Sequence, residues 1–61
     1  MTPNDIEVLI HCYVTTSPHP RRSAPAVQDA IDMLLREGLI YEDGSGCYST
    51  TERGIVLMSP L

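Results

Sequence analysis

The sequence predicts one small α+β domain with two main helices, a two-stranded antiparallel hairpin and a short C-terminal helix. Three observations carry this reading. Apolar residues recur at helical spacing over about residues 3–14 and again from Ser23 to Glu37. A glycine-rich turn, Asp43-Gly44-Ser45-Gly46, separates two short runs with strand character. A threonine, Thr51, then opens a final run that ends in Ile55-Val56-Leu57-Met58.

The first helix starts from Thr2, which suits a capping position. Pro3 fits the first helical position, and Asp5 stands where a capping-box carboxylate belongs. Ile6, Leu9, Ile10 and Tyr13 follow the i, i+3, i+4, i+7 rule and are expected to face the core, with Asn4, Glu7 and His11 in water. Val8 and Cys12 form a second apolar stripe, suited to burial under the C-terminus or to a subunit contact. The segment from Thr15 to Arg22 reads TTSPHPRR, and its alternating prolines make it a loop.

Ser23 is expected to cap the second helix. Ala24, Val27, Ala30, Ile31, Leu34 and Leu35 form its core face, and Gly38 ends it. Pro25, Asp29, Asp32 and Arg36 lie opposite, with Asp32 and Arg36 spaced as an i, i+4 pair. Leu39–Glu42 and Cys47–Thr50 read as strands. A four-residue turn between them would set Tyr41 across from Tyr48. Glu52 begins the last helix and Pro60 stops it. Its four consecutive apolar residues cover every side of a turn, so they meet either the core or another subunit. We expect a homo-oligomer, most simply a dimer, built on Val8, Cys12, Ile55, Val56, Leu57 and Met58.

Composition narrows the function. A chain of 61 residues buries only about 60% of its unfolded surface, so a partner chain would help it. The net charge is -4, with four arginines, no lysine and eight carboxylates. Phosphate binding needs a positive surplus on one face, which this chain lacks. No secretory signal and no apolar run of about 20 residues is present, so a cytoplasmic protein with free thiols at Cys12 and Cys47 is expected.

His11, Cys12, His19 and Cys47 have ligand-type side chains, but not in the spaced pairs of a structural zinc site. A cysteine–histidine nucleophile would need a pocket and an oxyanion site, for which this length leaves little room. We therefore expect no metal, no cofactor and no catalysis. Arg21, Arg22 and Arg53 lie near helix starts and suit an anion or a partner, or else stand as solvated charges. Met33 lies off the core face of its helix and suits a partner contact.

The residues Arg36-Glu37-Gly38-Leu39-Ile40, followed by Tyr48-Ser49-Thr50-Thr51-Glu52-Arg53-Gly54, resemble winged-helix regulators of the MarR and PadR type. The resemblance covers Ser23 to Gly54 and implies a recognition helix followed by a wing. The chain departs from that pattern in three ways. TTSPHPRR replaces the middle helix, Asp29 and Asp32 stand on the reading face, and the Asp43–Gly46 tip carries no basic residue. The whole chain also resembles small phage- and prophage-encoded proteins with a compact first helix, a proline-rich loop and a Thr-Thr-Glu-Arg-Gly segment. That implies a cytoplasmic accessory protein acting on a host or defence component. The leading expectation is a non-catalytic module that acts through a protein partner. The alternatives are a winged-helix DNA-binding regulator and an oligomer that sequesters a small anionic ligand through Arg21, Arg22 or Arg53.

Overall fold

The computed structural model describes residues 1–15, 17–44 and 46–59. Its elements run α1 (Pro3–Val14), α2 (Pro25–Arg36), β1 (Ile40–Gly44), β2 (Cys47–Thr50) and α3 (Glu52–Met58). The strands form a two-stranded antiparallel sheet. This is the expected α+β layout with its C-terminal helix. Pro60, the expected stop of α3, lies outside the described residues, as does Ser45 in the turn.

α1 begins as its sequence requires. The Thr2 hydroxyl accepts the Asp5 backbone N–H at 3.2 Å, and the Asp5 carboxylate accepts the Thr2 backbone N–H at 2.9 Å. This capping box satisfies two donors that a helix start leaves free. The start of α2 differs from expectation. The cap is Ala24, with no side-chain hydrogen bond, and Ser23 lies one residue outside it. Pro25 is the reason: it disfavours the α region for the residue before it, so Ala24 is extended and the helix cannot begin earlier. α2 ends in a Schellman closure. The Gly38 N–H donates to the Leu35 carbonyl at 3.1 Å, and the Leu39 N–H to the Leu34 carbonyl at 2.9 Å. Gly38 sits at φ 73°, in the left-handed region this closure needs.

The core comprises Val8, Leu9 and Cys12 of α1, Val27, Ala30, Ile31 and Leu34 of α2, and Leu39 and Ile40. The core face of α1 is therefore not the one expected. Ile6, Ile10 and Tyr13 are exposed, and so is Leu35 of α2. α1 has two apolar stripes side by side, sharing Leu9, and periodicity cannot say which of them turns inward. The narrower stripe meets α2 and β2.

The hairpin also departs from expectation, by one residue. Tyr41 pairs with Ser49 and Glu42 with Tyr48, and the register shifts between Glu42 and Gly44. Asp43 is the extra residue of this bulge, and its carboxylate accepts the Ser49 hydroxyl at 2.6 Å. A one-residue slip moves side chains to the opposite face. Tyr41 and Tyr48 are thus parted: Tyr41 is exposed, while Tyr48 packs against the core.

Thr51 joins the C-terminal half together. Its hydroxyl accepts the Gly54 N–H at 3.1 Å and donates to the Gly38 carbonyl at 2.7 Å. Its backbone N–H donates to the Leu39 carbonyl at 2.9 Å. Gly54 is buried on this junction, and a Cβ there would lie 2.4 Å from the Leu39 carbonyl oxygen. Helix propensity alone would make Gly54→Ala stabilising by about 1 kcal/mol. The close backbone contact reverses the sign, and we expect a loss of about 2 kcal/mol, read as a lower melting temperature. A variant that melts higher than the native protein would refute the close approach.

Candidate interaction surface

α1 packs its narrow stripe inward, so it shows its broad one to solvent. Ile10 is 46% exposed, Tyr13 57% and Val14 68%, with Ile6 beside them. Ile55, Val56 and Leu57 of α3 are exposed as well, Val56 at 68%. The two helices flank two separate grooves. Ile6 and Ile10 line an apolar one with Met1, Leu57 and Met58, and Tyr13 and Val14 line a half-polar one with Ile55, Ser49 and Thr50. The expected interface residues of α3 therefore stand on the surface, except Met58, which packs partly on the core. Val8 and Cys12 do not. At 1% and 7% exposure they are enclosed within the chain, and no second subunit can reach them. On α1 the outward positions are Ile6, Ile10, Tyr13 and Val14.

The arginines are not gathered into one site. The Arg21 guanidinium donates to the Glu7 carboxylate at 2.9 Å. Both side chains are largely exposed, so the pair contributes little stability. Arg22 lines a separate groove between α2 and the hairpin, with Gln28, Asp32 and Tyr48. Arg53 and Met33 share a further groove with Val56 and Leu57, which also has Asp5 and Glu37 along it. Met33 is only half-buried and packs against the core from there. Each arginine thus has carboxylates for company. The expected Asp32–Arg36 pair is not formed; the ion pair among the described residues is Arg21–Glu7. Asp29, Asp32, Glu42 and Asp43 all face solvent on α2 and β1.

A histidine pair organises the proline-rich loop, which sequence reasoning treated as two unrelated side chains. His19 is buried, and its ring lies 4.6 Å from that of His11, tilted by 55°. His19 Nδ1 accepts the Arg21 backbone N–H at 3.0 Å. His11 Nε2 donates to the Ser17 carbonyl at 3.0 Å. A histidine held between Pro18 and Pro20 has little backbone freedom to lose, and that was the available signal. The remaining ligand-type groups stay apart. Cys12 and Cys47 are free thiols, and burial pushes the Cys12 thiol above its ordinary value. Among the described residues no group of three histidine, cysteine or carboxylate side chains could hold a metal ion. No described helix is long and apolar enough to cross a membrane.

Burial pushes the His19 imidazole below its ordinary 6.5, and the nearby His11 and Arg21 push it the same way against the opposing Glu7 carboxylate. Protonating Nδ1 also removes the acceptor for the Arg21 N–H. The folded value lies below the unfolded one, so the unfolded chain binds more protons in between. This stabilisation is complete above about pH 6.5 and is lost as the pH falls through the folded value. Thermal melts should show stability declining on acidification over that window. His19→Asn keeps an acceptor but cannot titrate, and should flatten the decline. An equal decline in both proteins would remove His19 from the account.

Comparison with known proteins gives no match of any kind: no family model, no curated protein and no solved structure matches this chain.

Proposed function

We propose that this chain is a non-catalytic binding module that acts through protein–protein contact on the α1–α3 face. The observation that carries this reading is the set of large apolar side chains that α1 and α3 expose on a chain with so small a core. Monomeric soluble proteins rarely expose apolar patches beyond a few hundred Å², and larger ones mark contact sites. Charge placement supports the same reading. The surface that would read DNA, on α2 and the hairpin, presents Asp29, Asp32 and Asp43 to solvent. Phosphates would be repelled there. Free Cys12 and Cys47 suit a reducing compartment such as the cytoplasm.

The test is site-resolved crosslinking. A photoreactive residue at Tyr13 or Val56 should capture protein partners, and the same residue at Asp29 on α2 should not. Duplex DNA at low salt should show no binding. Crosslinks confined to α2, or tight DNA binding that weakens steeply with added salt, would overturn the reading.

A further inference from the structure

We infer that the partner seated on the α1–α3 face is a second copy of this chain. The inference rests on the reading of that face as the contact surface. Three observations select a second copy.

The first is area. Ile6, Ile10, Tyr13, Val14, Val56 and Leu57 together expose on the order of 600 Å², most of the roughly 800 Å² that one partner gives to a standard stable interface. That is a large share of a surface of only 4116 Å².

The second is charge. At net charge -4, two copies repel each other at long range. They can meet only where acid is absent or already engaged. Asp29, Asp32, Glu42 and Asp43 lie on α2 and β1, away from the groove. Of the α1 carboxylates, Asp5 is held in the cap and Glu7 is paired with Arg21. Ile6, Ile10, Tyr13, Val14 and Ile55 carry no charge, and where Arg53 and Glu37 flank Val56 and Leu57 the arginine offsets the acid. A basic partner would be steered to the acidic side of the molecule instead.

The third is shape. The face offers a ridge on α1 and, beside it, the apolar groove between α1 and α3. A two-fold dimer needs one patch that is complementary to itself. Ridge and groove side by side meet that need, with the α1 ridge of each copy lying in the groove of the other.

Sedimentation velocity over a micromolar concentration series tests this. The intact protein should sediment with twice its 6.7 kDa mass. Ile10→Glu and Val56→Glu alter exposed side chains and should keep the helical circular-dichroism signal. Each should weaken self-association by about a hundredfold or more. Val56→Ser, which adds no charge, should loosen it in the same direction. Tyr41→Glu, on the hairpin, should leave it unchanged. Added salt should tighten the dimer by screening the net charge. A monomer throughout the series, or face variants that associate like the intact chain, overturns the inference. A monomer whose Tyr13 and Val56 crosslinkers still capture another protein removes the second copy but leaves the contact surface standing. Crosslinks confined to α2 remove both.

Discussion

The crossing of Leu39 and Thr51 is the contact on which the rest of this structure depends. The Leu39 carbonyl accepts the Thr51 N–H, and the Thr51 hydroxyl reaches the Gly38 carbonyl while capping α3 at Gly54. Three boundaries therefore meet within a few ångströms: the end of α2, the base of the hairpin and the start of α3. Each would otherwise leave backbone groups unpaired. Gly54 lets the helix settle onto this point, because any larger residue would strike the Leu39 carbonyl. The direction in which α3 leaves the hairpin follows from that seating, and with it the groove beside α1. With nine buried apolar side chains among the described residues, hydrogen-bonded junctions of this kind contribute strongly to fixing orientation.

Local signals were legible in the sequence wherever one residue determines one geometry. The Thr2–Asp5 box, the Gly38 closure and the Thr51 cap lie where their residue types demand. The failures share a physical cause, which is that two local solutions compete. Ser23 is the better cap by chemistry, but Pro25 forces Ala24 to be extended and takes the position. The glycine-rich turn fixes a hairpin but not its register, and the Asp43 bulge moved Tyr41 and Tyr48 to opposite faces. α1 carries two apolar stripes, and only the packing of α2 and β2 decides between them. That choice also divides the residues expected at an interface. Ile55, Val56 and Leu57 stand exposed and Met58 packs partly on the core, whereas Val8 and Cys12, for which burial and a subunit contact were both open, are buried. The His11–His19 contact depends on a loop returning to a helix; Pro18 and Pro20 mark His19 as held stiffly, but not what it packs against.

Chemically the molecule is two-sided. Exposed carboxylates line α2 and β1, whereas the large exposed apolar side chains gather on α1 and α3. The proline-rich loop lies along the margin of this division, held by the Arg21–Glu7 pair and the two histidines. This arrangement separates long-range repulsion from short-range attraction. Charge keeps the α2 and β1 surface solvated and unattractive to other acidic chains, while dewetting is most favourable over the apolar side chains of α1 and α3.

The bulge in the hairpin bears on what can pair with the edge of the sheet. A two-stranded ribbon has an unpaired edge on each strand, and an unpaired edge can template pairing with another molecule. Here β1 is interrupted at Asp43, twisted locally, and lined by the carboxylates of Glu42 and Asp43. Strand addition would have to accept a broken ladder and bring like charges together. The acidic hairpin thus opposes growth of the sheet from its β1 edge, independently of what meets the helices.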